Sequence, residues 1–229
     1  MRNPLLPLLF AAAALAAPVA AQTEEVVIAA LGDSLTAGYG LPQGEGLVPQ
    51  LQEWLDAEGA QIRLINAGVS GDTSAGGLAR TDWTLTPEVD AMIVALGGND
   101  FLRGLAPEAM RDNLDGILDK ADAAGIEALL VGIAAGPNYG ADYAQAFDGA
   151  YETLAETHDV PLYPDFFSAL QDGQSVDAAR RAYLQSDGIH PNAEGVTVIV
   201  EALGPWVLDL AEEVRADAPR GDGSQAAAR

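Results

Sequence analysis

Three observations predict an α/β fold built on a parallel sheet covered on both faces. Apolar runs rich in β-branched residues alternate with segments of helical spacing along the whole length. The clearest of these runs stops abruptly in small or turn-forming residues and shows no polar alternation, as strands buried on both faces do. No linker or internal repeat divides the 229 residues, and one hydrophobic core can serve a chain of that length, so a single domain is expected.

The first strand is the apolar run from Val26 to Leu31, which ends in Gly32-Asp33-Ser34. Residues 47–58 carry apolar side chains at 47, 48, 51, 54 and 55, a helical spacing that Gly59 terminates. A short strand is expected over 62–65, then a loop of small residues from Asn66 to Ser74. Asp72 or Thr73 can cap a helix running to about residue 82. A third buried strand covers 91–96 and closes on Gly97-Gly98-Asn99-Asp100. Pro107 opens a helix at its first turn, and Gly125 stops it after residue 124. A fourth strand is expected over 127–133, a helix over about 142–157 and a short fifth strand over 160–162. Short helical pieces then lead to residue 184, a loop spans 185–192, and a final helix covers 193–214. Trp54, Trp83 and Trp206 lie in apolar periodic or turn contexts and are expected to pack in the core.

Both ends lie outside this pattern. Met1-Arg2-Asn3-Pro4 bears one positive charge, residues 5–17 are apolar, and Val19-Ala20-Ala21 places small residues before Gln22. That is the layout of a secretory signal peptide cut near Ala21, and the apolar run falls short of the roughly 20 residues that span a bilayer. The expected division is therefore a signal peptide over 1–21, a domain over 22–212 and a flexible tail over 213–229, with export to the periplasm or beyond. The chain has no cysteine, which excludes disulfides, thiolate metal sites and lipid attachment to an N-terminal Cys. Its net charge of −23 repels nucleic acid and anionic membrane surfaces and favours solubility. A small-molecule substrate, no stable membrane anchor and a monomer are the expected partner state.

Ser34 follows the carboxyl end of the first strand, where open parallel sheets place their ligands. A serine hydroxyl is a poor nucleophile until a base takes its proton, and histidine is the usual base. The chain has two histidines. His158 ends a predicted helix, where an imidazole ordinarily complements the last carbonyls. His190 lies in the loop Ser186-Asp187-Gly188-Ile189-His190-Pro191-Asn192, with a carboxylate three residues earlier. Asp187 can fix the imidazole tautomer from the same tight turn. Oxyanion donors are available at Ser34 N–H, at Gly71 N–H and at the Asn99 amide, each in a strand-end loop. Gly32-Asp33-Ser34-Leu35-Thr36 does not match the G-x-S-x-G elbow, which argues against the α/β-hydrolase architecture. Asp33, Asp72 and Asp100 follow separate strands without metal-ligand spacing and read as caps and loop hydrogen-bonders. No P-loop or His-rich cluster supports a nucleotide or zinc mechanism.

These blocks resemble the SGNH, or GDSL-type, hydrolases. Gly32-Asp33-Ser34-Leu35 is similar to the family's first block, with Ser34 as nucleophile. Asn66 to Thr73 is similar to the second, with Gly71 as oxyanion donor, and Gly97-Gly98-Asn99-Asp100 to the third, with Asn99 as the other donor. Asp187-Gly188-Ile189-His190-Pro191-Asn192 resembles the block that carries acid and base. Asn138-Tyr139-Gly140 and Asp159-Val160-Pro161-Leu162 point within the family to the acyl-CoA thioesterase I, lysophospholipase L1 and arylesterase group. Gly68 and Ala134-Ala135-Gly136 depart from that group's pattern. The resemblance implies a three-layer α/β/α, flavodoxin-like fold with strand order 2-1-3-4-5 and no cofactor. It implies a serine esterase acting on acyl, aryl or lysophospholipid esters, and on thioesters as a further substrate class. A sugar O-acetyl esterase and a non-catalytic envelope module that binds a glycan or lipid are the alternatives.

Overall fold

The computed structural model describes residues 25–173 and 175–217. The proposed signal peptide and the last twelve residues of the expected tail lie outside them.

Five parallel strands form one sheet in the order β2-β1-β3-β4-β5. They are β1 (Val26–Gly32), β2 (Ile62–Gly68), β3 (Ala91–Ala95), β4 (Glu127–Val131) and β5 (Leu162–Tyr163). The helices are α1 (Ser34–Ala37), α2 (Leu47–Ala57), α3 (Ser74–Thr84), α4 (Gly98–Leu102), α5 (Pro107–Ala124), α6 (Ala141–His158), α7 (Val176–Tyr183) and α8 (Ala193–Asp217). Every residue of β1 and β3 is buried, because each has a strand on either side and helices above and below. On one face, α2 and α8 pack over Ile28, Ala30 and Ile93. On the other, α5 and α6 bring Met110, Leu114, Ile117 and Phe147 against Leu31, Met92 and Val94. This is the expected three-layer arrangement and strand order.

Several expectations need correction; the fourth strand, for one, ends at Val131 and not at residue 133. The second strand runs to Gly68, not residue 65, because its pairing with β1 continues to Gly32↔Gly68. The fifth strand begins at Leu162, paired with Leu130 of β4, and not at 160. The last helix continues to Asp217 and takes in residues assigned to the tail. Its final turn is held by Val214 against the core and by Arg215 Nη2, which donates to Gln61 O at 2.9 Å. Trp83 does not pack inside and is 86% exposed. It stands two residues past Thr81, the buried position near the end of α3, and so faces outward. Trp54 is half-buried against Gly204 of α8, whereas Trp206 does not pack inside either: it is exposed and meets Tyr163 edge-on at 5.8 Å.

One glycine fixes how the first helix meets the sheet. A Cβ on Gly68 would overlap the backbone of Thr36 and Ala37, so α1 presses onto the end of β2 only because residue 68 has no side chain. The carboxyl ends of β1, β2 and β3 thereby open onto three adjoining segments, which carry Ser34, Gly71 and Asn99.

Candidate active site

Asp33 caps α1, its Oδ1 accepting from Leu35 N–H at 3.0 Å, and this sets Ser34 at the first helical position. A first-turn N–H has no partner within its own helix, so that of Ser34 is free for a ligand. The loop after α7 carries the other half of the site. Gly188 takes φ +69°, and the turn it makes lets Asp187 Oδ1 accept from Ile189 N–H at 2.9 Å and from His190 N–H at 3.1 Å. Asp187 Oδ2 lies 2.7 Å from His190 Nδ1, and His190 Nε2 lies 2.9 Å from Ser34 Oγ. One carboxylate, one imidazole and one hydroxyl are thus linked across 156 residues of chain.

The electrostatics follow from the contacts. The Ile189 N–H, the His190 side chain and the His190 N–H hold the Asp187 carboxyl down to about 2. Asp33 goes the other way: burial pushes its carboxyl above the usual range, against the Leu35 N–H and the Asn99 amide, which favour the ionised form.

Asn99 lies in the first turn of α4, and its Nδ2 donates to Asp33 Oδ2 at 3.0 Å. A carboxylate acceptor decides which end of that amide is nitrogen, and one Nδ2 hydrogen is left over. Gly71 takes φ +87° in the loop between β2 and α3, and its carbonyl accepts from Arg103 Nη2 at 2.7 Å. Buried Asp100 joins the Asn99 turn to the segment after Gly71, accepting from Ser74 N at 2.8 Å and from Ser74 Oγ at 2.6 Å. The three aspartates expected as caps and loop hydrogen-bonders act in that way, with Asp72 paired to Arg80 at 2.7 Å.

A cavity of about 350 Å³ opens beside Ser34 and Asn99. Its walls are largely apolar, with Leu35, Phe101, Ile133, Phe167, Leu170 and Leu184 among them, and Arg180 and Asp165 also reach it. An apolar cleft with a few convergent polar groups is the ordinary form of a small-ligand site.

His158 lies apart from this site. It is the last residue of α6, and its Nε2 is 2.8 Å from Asp115 Oδ1. Asp119 completes a group whose ligand atoms lie within 4.8 Å of one another.

Four contributing residues were not legible beforehand. Arg80, Arg103 and Gln185 hold the loops, and the Asp33 carboxylate sets the orientation of Asn99. Gln185 N–H donates to His190 O at 2.8 Å, while its Nε2 donates to Tyr39 O at 2.8 Å and to Pro191 O at 2.9 Å. The Tyr39 ring lies 4.6 Å from the imidazole. Each of these four residues also has a partner 13 to 146 residues away in the chain, which no local pattern announces.

Residues 30–198 match the sequence profile of the GDSL-like Lipase/Acylhydrolase family. The chain is 41% identical over 211 residues to Esterase TesA of Pseudomonas aeruginosa, covering 92% of this chain and all of that one. It is 36% identical over 181 residues to Thioesterase 1/protease 1/lysophospholipase L1 of Escherichia coli strain K12, covering 79% and 82%. Among solved structures, the SGNH-hydrolase family esterase AlinE4 superposes with a TM-score of 0.66 at 45% identity, over 82% of this chain and 97% of that one.

Proposed function

The chain belongs to the GDSL-like lipase/acylhydrolase family and is a carboxylic ester hydrolase, and we propose that its nucleophile is Ser34, with His190 as base and Asp187 as the carboxylate that orients it. The observation that carries this assignment is the hydrogen-bonded chain Asp187–His190–Ser34, opening on an apolar cavity. Ser34 Oγ attacks the carbonyl carbon of a bound ester as His190 Nε2 takes its proton. The tetrahedral oxyanion is met by Ser34 N–H, Gly71 N–H and the remaining Asn99 Nδ2 hydrogen. His190 returns the proton to the departing alcohol, and the acyl group stays on Ser34. A water molecule, deprotonated by His190 in turn, releases the acid and restores the hydroxyl. Asp187 keeps the Nδ1 hydrogen in place throughout and stabilises the imidazolium.

The substrate is an ester whose acyl chain lies in the 350 Å³ cavity. Apolar walls of that extent exceed what an acetyl group fills, which favours acyl, aryl or lysophospholipid esters over sugar O-acetyl groups. Thioesters meet the same machinery. The relative from Escherichia coli is named a thioesterase and lysophospholipase, and the one from Pseudomonas aeruginosa an esterase. The N-terminal apolar run supports export, and no helix among the described residues is long and apolar enough to cross a membrane. Replacing Ser34→Ala should remove p-nitrophenyl acyl ester hydrolysis while leaving the circular dichroism spectrum unchanged. Turnover within tenfold of the parent would refute the assignment.

A further inference from the structure

Arg80 lies on α3, outside the Asp187–His190–Ser34 chain, with 22% of its side chain exposed. Its guanidinium makes three short contacts in three directions. Nη2 donates to Gly32 O at 2.7 Å, Nη1 to Ala67 O at 2.6 Å and Nε to Asp72 Oδ2 at 2.7 Å. Each acceptor borders a piece of the active site. Gly32 O belongs to the peptide unit that leads into Asp33 and Ser34. Ala67 is paired with Leu31, one residue before the end of β1. Asp72 directly follows Gly71. We propose that Arg80 is a positioning residue that locks the Ser34 turn and the Gly71 loop into one geometry, so that the oxyanion donors stay aimed at a common point.

The proposal rests on the oxyanion reading given above. A planar guanidinium offers five N–H groups in a rigid fork and here meets its acceptors from three separate nitrogens, whereas an ammonium concentrates its three donors on one nitrogen and cannot reach all three positions at once. The clamp has a reason in the sheet itself. At the carboxyl end of a parallel sheet the inter-strand ladder runs out, and carbonyls there take up donors from side chains. Gly32 O accepts from Val69 N–H at 3.0 Å as well as from Arg80, so the two strand ends are tied twice. Arg103 Nη2 on Gly71 O secures the same loop from its far side. A misplacement of about 1 Å between a nucleophile and its oxyanion donors costs roughly 100-fold in rate, so a residue that touches no substrate can govern kcat.

The test measures kcat and KM on a p-nitrophenyl butyrate substrate, and affinity for a butylboronic acid that forms a tetrahedral adduct, for Arg80→Lys, Arg80→Ala and Asp72→Asn. All assays run well below each variant's own melting temperature. Arg80→Lys should lower kcat about 30-fold and weaken boronate binding by a similar factor, with KM within about threefold, the signature of a lost transition-state interaction. Methylguanidinium should restore Arg80→Ala at least tenfold. Asp72→Asn keeps both carbonyl contacts and should lose only about fivefold, and it carries the test if Arg80→Ala does not fold. Folded Arg80→Lys and Asp72→Asn proteins with kcat within twofold of the parent would overturn the proposal and assign Arg80 to stability alone. Ser34→Ala is assayed alongside. Activity surviving there defeats the nucleophile assignment, whereas its loss together with unaffected Arg80 variants defeats only the positioning role.

Discussion

At the scale of single residues, opposite shifts in two carboxyl groups separate two roles. The folded state holds Asp187 near 2, below its ordinary 3.8, so its ionised form adds stability above the ordinary value. That contribution disappears only as the pH falls through about 2. Asp187 is therefore already ionised well above that value, and it should add no ionisation of its own to the acid limb of kcat/KM. A second ionisation above pH 3 in the acid limb of that profile would contradict this. Asp187→Asn should lower kcat about 100-fold or more through loss of the correct tautomer, with KM nearly unchanged. Asp33 shows the reverse shift, since burial disfavours its charge. Asp33→Asn removes that cost and can still cap α1 through its carbonyl oxygen. It also sets two amide groups facing each other and lets Asn99 turn its oxygen toward the oxyanion. Activity should drop about 100-fold while the melting temperature holds or rises, as assays and thermal melts on one preparation would show.

At the scale of elements, the contact between α1 and β2 depends on one missing side chain. Gly68→Ala introduces a Cβ into the backbone of residues 36 and 37, and overpacking of this kind costs about 1–3 kcal/mol in denaturant unfolding. Because α1 begins at Ser34, kcat should fall as well. The end of α6 offers a control. His158 is linked to Asp115 and is remote from the cavity, so His158→Ala should reduce stability by about 1 kcal/mol and leave kcat within twofold. Element boundaries were readable where capping chemistry is local: Pro107 and Gly125 bracket α5 at its observed ends. The end of β2 was not readable, because Asn66-Ala67-Gly68 reads as a turn until β1 lies beside it. The exposure of Trp83 is hidden from the sequence for a similar reason. Its apolar character says inside, but its position on α3 turns it outward.

At the scale of the whole molecule, a charge of −23 with few cations makes the folded state repel itself. Raising sodium chloride from 10 to 300 mM should therefore raise the melting temperature, since the Debye length falls from roughly 30 Å toward 6 Å over that range. A melting temperature that falls with salt would mean that the ion pairs outweigh the repulsion. The scarce cations that do occur are in part committed to the site: Arg80 and Arg103 hold its loops, and Arg180 lines its cavity.

Taken by itself, the sequence determined the order of strands and helices and the pairing of Asp187 with His190. Both depend on spacings of a few residues, where backbone geometry leaves few choices. It also singled out Ser34, since a buried strand that stops at a small turn must present the next residue at the sheet's edge. Only the tertiary structure decided how Asn99 is oriented, what Arg80 grips and which side chains wall the cavity. Those of Asn99 and Arg80 join residues 8 to 66 positions apart in the chain, and their geometry exists only once the sheet has set the strand ends side by side.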